Sequence, residues 1–202
     1  MDRNLMDLYF IRHAEPDYSE SDNYKRDLST NGFVQASGLL YLFKNINIDG
    51  VYSSPYLRAI NTVKPLAEER KKPIRLIDEL KERKSADYRV PDNKFAGFAQ
   101  KQWNDYSFKF RGGESLRDVR DRYNTALRKI IDFASNNGEK TLIIGCHITG
   151  LCSYLSQYGI VQTYQDFDKV RSLKPWIVHL SYDKDSLTPV IVNGSFHVLE
   201  VF

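Results

Sequence analysis

Cysteine is nearly absent from this 202-residue chain, which has two, Cys146 and Cys152. They form no Cys-x-x-Cys pair and are too few for a disulfide scaffold, which fits a reducing compartment. Long apolar runs are missing too: no stretch approaches the roughly 20 residues needed to span a bilayer, so no membrane partner is expected. The opening residues MDRNLMD carry acids where a signal peptide would carry bases and then an apolar core, and the expected location is the cytoplasm. Charge of one sign is also lacking. Twenty-nine Lys and Arg against 26 Asp and Glu leave a net +3, too small to argue for a nucleic-acid partner. Histidine is scarce: the four, at 13, 147, 179 and 197, show no metal-ligand spacing, so no metal and no cofactor are expected. No internal repeat or low-complexity segment appears. What is present, 42% hydrophobic and 27% charged residues, is the composition of a globular protein, and the length suits one domain spanning 1–202 with an inserted subdomain.

The chain is organised around LYFIRHAEP, residues 8–16. An apolar run of strand character stops at Arg12 and His13, and Pro16 then prevents the ladder from continuing. Ser29 follows as an N-cap for a helix whose Phe33, Ala36, Leu40 and Phe43 recur at helical spacing. A second strand over 50–53 runs into SSPYLRAINT, where Pro55 marks a helix start and Tyr56, Ile60, Val63 and Leu66 or Ala67 give its buried face. Arg58 lies in that helix's first turn, where the macrodipole disfavours a cation, so an ion pair or an anion is called for. The charge run 68–72 reads as a solvated face, and 74–77 as a short strand. DELKER, 78–83, then leads into 84–113, which reads as irregular. That segment is rich in aromatic and basic residues, a mixture that can stack on nucleic-acid bases but more often caps a core; its length suggests a lid or substrate insertion.

Gly112 and Gly113 close the insertion, and Ser115 with Asp118 resembles a capping box. Leu116, Val119, Tyr123, Ala126, Ile130 and Ala134 then repeat at helical spacing as far as Asn137-Gly138. TLIIGC, 141–146, is a strand buried on both faces, His147 follows it, and a helix is expected over 150–157. The tail alternates: a strand over 177–182, a DKDSLTP turn, a strand over 190–192, an Asn193-Gly194 turn signal, and a last apolar run, 196–202. The expected fold class is α/β, a three-layer α/β/α sandwich with a mostly parallel central sheet, an inserted lid at 84–113 and a C-terminal β-hairpin.

Three apolar runs followed by helix-forming segments thus end in Arg12-His13, in Ser53-Ser54 leading to Arg58, and in His147. If those strands are parallel, their carboxyl ends share one rim, where open α/β sheets bind ligands. Two guanidiniums with two imidazoles would make a clamp for a tetrahedral oxyanion. Cys146 and Cys152 each lack the Arg six residues on that a cysteine phosphatase needs, and read as buried small hydrophobes; His179 and His197 read as structural. Asp183-Lys184-Asp185 superficially matches an aspartate-nucleophile motif but reads as a hairpin turn.

RHAEP, LST-x-G, SSPYLRAxxT, LKER, GGES and CHITG, in that order, resemble the histidine phosphatase superfamily, the phosphoglycerate-mutase-like proteins. The resemblance runs from Leu8 to about Gly159. It implies that His13 is the nucleophile that becomes phosphohistidine, that Arg12, Arg58 and His147 hold the phosphoryl oxygens, and that an acid in LKER, best matched by Glu82, protonates the leaving group. Asp87 and Glu79 are the alternative donors. Glu82 would need a raised pKa, through burial or a neighbouring carboxylate such as Glu79. The chain departs from the family pattern at Ala14, a usual glycine, at Pro16, where many members carry a hydroxyl, in ERKSADY and in CHITG. The expected function is a metal-independent phosphomonoester hydrolase acting on a small organic phosphate. A phosphoglycerate-type phosphomutase, which would need a longer closing lid, and a non-catalytic phosphate-binding module are the alternatives. Substrate identity and oligomeric state have no signature in the sequence.

Overall fold

A computed structural model of the chain describes residues 5–86, 92–183 and 188–190. Among these residues six strands form one sheet in the order β3-β2-β4-β1-β5-β6. β1 (Leu5–Arg12), β2 (Gly50–Ser53), β3 (Ile74–Leu76) and β4 (Thr141–Cys146) pair in parallel; β5 (Trp176–Asp183) and β6 (Thr188–Val190) add antiparallel partners at one side, making the expected hairpin. The 193–194 turn and the 196–202 run expected beyond it, His197 included, lie outside the described residues.

The sheet is buried on both faces, so its central strands read as continuous apolar runs. Along β1 and β4, Met6, Leu8, Phe10, Leu142, Ile144 and Cys146 enter one core cluster while Ile11 and Ile143 enter another. The first is covered by α4 (Leu116–Asn136) and α5 (Ile148–Ser156), the second by α1 (Thr30–Leu42) and α2 (Leu57–Glu69). The sandwich has its three layers. Cys152 is likewise buried in the first cluster, and His179 is structural, bonded to Asp7 at 2.8 Å and stacked on Tyr9.

Local signals set most boundaries. Ser29 caps α1 through Gly32 N–H, and Ser115 with Asp118 forms the capping box of α4, whose buried stripe is the expected one. Two readings need correction. α1 buries Gly32, Ala36 and Leu39, with Phe43 just beyond its end, while Phe33 and Leu40 are exposed. This helix is apolar on several faces, so periodicity alone does not choose the inward one; a Cβ on Gly32 would lie 2.1 Å from the Glu15 carbonyl, and that close approach decides. The segment 84–113 is not irregular throughout: α3 (Asp92–Asn104) crosses it, and Ala99 and Trp103 pack into the first core cluster. On α2 the inward face also takes in Ala59 and Thr62, with Ile60 half-buried. A helix absent from the sequence reading, α6 (Tyr164–Val170), is capped reciprocally by Thr163 and Asp166.

Gly150, in the first turn of α5, marks the close approach of α5 to α4, because a Cβ there would meet the Tyr123 ring at 2.1 Å. Tyr123 is fully buried on α4, so the overlap cannot relax outward. Gly150→Ala is expected to destabilise the fold by about 1–3 kcal/mol, lowering the melting temperature by about 2–12 °C. Gly97→Ala, where a Cβ meets nothing within 4 Å, should leave it unchanged or slightly raised in the same calorimetric scan.

Candidate active site

The parallel register brings three strand ends to one level. Arg12 pairs with Cys146 and Ser53 with Gly145, and the ladder extends one residue on each side, from His13 N–H to the Cys146 carbonyl at 3.1 Å and from Ser54 N–H to the Gly145 carbonyl at 2.9 Å. The chain leaving β1 goes to the α1/α2 layer and the chain leaving β4 to the α5 layer. Adjacent strands whose continuations part to opposite faces leave a crevice at their carboxyl ends. His13 and His147 stand on either side of it, their rings 5.3 Å apart.

Arg12, His13, Arg58 and His147 are all buried. The His13 Nδ1 lies 2.8 Å from its neighbour's carbonyl, Ala14 O. A carbonyl can only accept, so Nδ1 carries the proton and the neutral ring keeps a bare lone pair on Nε2. The turn that holds this pose is tied down by side chains from two helices. Ala14 N–H donates to Thr62 Oγ1 at 2.9 Å and Glu15 N–H to Gln35 Oε1 at 2.9 Å, while Thr62 itself donates to the Arg58 carbonyl. His147 begins α5, and its Nε2 meets Ser54 Oγ at 2.8 Å; its Nδ1 is buried and unpartnered.

Neither arginine forms an ion pair among the described residues. Arg12 Nη1 donates to the carbonyls of Arg171, at 2.8 Å, and Leu173, at 2.6 Å, and Arg58 Nη1 to the Asn23 carbonyl at 2.8 Å. The ion pair expected as one option for Arg58 is therefore not made; backbone oxygens hold it, and its guanidinium rides 4.9 Å from the Tyr56 ring. Burial lowers the pKa of both, that of Arg58 to about 10, and the negative field of Glu82 opposes the shift in each. Burial first, then Arg58 and Arg12, push His13 well below the ordinary histidine value, and burial, Arg58 and His13 do the same to His147.

Glu82 is half-buried on the loop after the 3₁₀ turn Asp78–Leu80. One carboxylate oxygen accepts Arg83 N–H at 2.6 Å, and the other lies 3.4 Å from Thr149 N–H in the first turn of α5. The loop is pinned by residues of the GGES motif and α4: Arg122 donates to the carbonyls of Glu79 and Lys81 and pairs with Glu114, which accepts Lys84 N–H. Arg83 bonds Gln102 of α3. Glu79, the alternative donor and the expected neighbour of Glu82, instead pairs with Lys129 of α4, which holds its carboxyl below the usual range. An ionised, lysine-bound carboxylate is poorly suited to give up a proton. Asp87 lies outside the described residues.

Sequence reasoning did not find Ser54, Thr62 or Gln35 as supports, nor the carbonyl anchors of the arginines. Thr62 had a signal, closing SSPYLRAINT four residues after Arg58. The carbonyls had none, because any residue type supplies one.

The profile of the histidine phosphatase superfamily (branch 1) matches residues 8–193. A putative phosphoserine phosphatase 2 of Hydrogenobacter thermophilus is 37% identical over 65 residues, 30% of this chain and 32% of that protein, so the match spans about a third of the curated relative. A mycobacterial glucosyl-3-phosphoglycerate phosphatase superposes with a TM-score of 0.74 at 18% identity, covering 98% of this chain and 100% of its own. A phosphoglycerate mutase from Bacillus anthracis superposes with a TM-score of 0.71 at 16% identity, covering 99% and 94%. Among the described residues no helix is long and apolar enough to cross a membrane.

A histidine whose folded pKa is depressed binds its proton more readily in the unfolded chain, so its stability contribution is lost as the pH falls below the unfolded value of about 6.5. Between pH 7.5 and 5.5, urea unfolding should show stability falling with a slope approaching about 1.4 kcal/mol per pH unit for each such group. His13→Asn should flatten that slope; parallel profiles for variant and parent would show that His13 protonates normally in the fold.

Proposed function

The chain belongs to the histidine phosphatase superfamily (branch 1), and from that premise we propose that it hydrolyses phosphate monoesters of small organic alcohols through a phosphohistidine formed on His13. The observation that carries the reading is the Nδ1–H bond of His13 to the Ala14 carbonyl, which leaves Nε2 as a fixed, unprotonated nucleophile beside two buried cations. Burial and those cations keep the ring neutral at cellular pH, so the lone pair is available.

In the first step Nε2 attacks phosphorus in line, a P–N bond forms and the P–O bond to the ester oxygen breaks. Arg12, Arg58 and His147 take the charge on the phosphoryl oxygens. Phosphoryl transfer asks for little beyond such placement and charge stabilisation. Glu82, whose carboxyl lies 3.4 Å from the Thr149 N–H two residues beyond His147, gives its proton to the departing oxygen. In the second step Glu82 takes a proton from water, the oxygen attacks phosphorus, the P–N bond breaks, and inorganic phosphate leaves with His13 and Glu82 restored. No step calls on a metal or a cofactor. The 84–113 segment, joined to the Glu82 loop through Arg83 and Gln102, would shape the substrate side of the crevice.

Rapid-quench labelling with a radiolabelled aryl phosphate should trap an acid-labile, base-stable phosphoenzyme that His13→Ala lacks, and chelator should leave turnover unaltered. Undiminished phosphate release by His13→Ala would remove the nucleophile assignment. Passage of the label to a second monophosphate rather than to water would make the protein a mutase, and phosphate affinity without turnover on a broad panel a binding module. Arg58→Ala should lower kcat/KM roughly a hundred- to thousandfold. Glu82→Gln should slow poor leaving groups far more than good ones; equal slowing would move the acid elsewhere.

A further inference from the structure

On the reading just given the ester's leaving group departs beside Glu82, and the side chains there have a definite order. From the fully buried His147, the Tyr56 ring lies 5.1 Å away, and the Tyr24 ring lies 4.7 Å beyond that. Tyr24 is 49% exposed, so the series runs from the floor of the crevice to solvent. Its hydroxyl accepts from Lys81, the residue before Glu82, at 3.2 Å, and Lys81 is itself held by Asp78 at 2.6 Å. Tyr18, on the same loop, is arranged alike, its hydroxyl accepting from Lys174 at 3.0 Å. Lys174 is among the cations that hold the His13 pKa down.

The loop carrying these two rings is fixed at its neck and along one side. Pro16 bridges to Leu28, and the carbonyls of Tyr24 and Arg26 accept the N–H groups of Leu57 and Arg58 at the start of α2. Each lysine spends the polar end of its tyrosine and leaves ring surface to the solvent. An exposed ring held in place has little rotamer freedom left to lose on binding, which is the property of aromatic recognition surfaces. We propose that Tyr24, seated on Tyr56, is a specificity-determining residue that stacks on a planar unsaturated ring in the leaving group. The substrate class is then phosphate monoesters of alcohols that bear an aromatic or heteroaromatic ring close to the ester oxygen. This assignment rests on the phosphate site proposed above.

The test is equilibrium binding, which does not depend on turnover. Benzylphosphonate and cyclohexylmethylphosphonate carry the same charge and the same number of carbons, and differ in the planarity and π-character of the ring. Titrated calorimetrically into the full chain, benzylphosphonate should bind about three- to tenfold more tightly than its saturated partner. Tyr24→Ala should bring that ratio to about one and Tyr24→Phe should keep it, with the affinity for inorganic phosphate moving less than about twofold in both. The Phe variant separates ring stacking from loss of the Lys81 hydrogen bond. Equal affinities for the parent chain, or a ratio that survives Tyr24→Ala, would overturn the assignment while leaving the phosphate site standing. Failure of the parent chain to bind inorganic phosphate would overturn the phosphate site itself, and this inference with it.

Discussion

Two guanidiniums buried among carbonyls rather than carboxylates are the constraint to which the rest of this structure answers. Removing a cation from water costs several kcal/mol even after relaxation, and a paired carboxylate is the usual remedy. Here the remedy is partial: Arg171 and Leu173 lend oxygens to Arg12, Asn23 lends one to Arg58, and Glu82 contributes a negative field from the rim. Net positive charge is left in a place of low dielectric. Two consequences follow from it together. A tetrahedral dianion would be favoured in the crevice, and the charge adds to burial, the larger cause, in keeping the imidazoles of His13 and His147 from protonating.

The motifs divide accordingly into groups that would meet the anion and groups that hold them. Thr62 ends SSPYLRAINT not at the ligand but under Ala14, where it fixes the turn that orients His13. Ser54, at the head of the same motif, holds the His147 ring. Glu114 of GGES acts at a further remove, pairing with Arg122, whose guanidinium grips the backbone leading to Glu82. Rigid elements carry the residues proposed to react and hydrogen-bonded side chains lock their poses, which is what positioning within a fraction of an ångström requires.

Much of this was legible from residues alone, and for short-range reasons. β1, β2 and β4 are short apolar runs that stop at chemically capable residues, and the capping box at Ser115 is a four-residue signal, so both survive without tertiary knowledge. Where the reading failed, the deciding interaction was long-range. The inward face of α1 follows from the contact of Gly32 with the Glu15 carbonyl, not from its hydropathy. α3 contains Gly97 and little clear periodicity, yet buries Phe98, Ala99 and Trp103, the last against Phe167, because α6 offers it a surface. α6 did carry a capping signal, Thr163 with Asp166, but over seven residues no stripe supported it. The sequence departures at Ala14 and Pro16 are absorbed locally: Ala14 is buried with its N–H on Thr62, and Pro16 makes the bridge that closes the neck of the 17–27 loop.

The central claim is that burial and the two arginines hold His13 neutral, while the Ala14 carbonyl, which on its own favours the charged ring, fixes the remaining proton on Nδ1 and leaves Nε2 bare. Multiple-bond ¹H–¹⁵N correlation spectra of ¹⁵N-histidine-labelled protein at pH 7, assigned against His13→Asn, read that state directly. The account predicts a neutral Nδ1–H tautomer for His13, with Nε2 at the shift of an unprotonated nitrogen. An imidazolium, or a proton resident on Nε2, would contradict it.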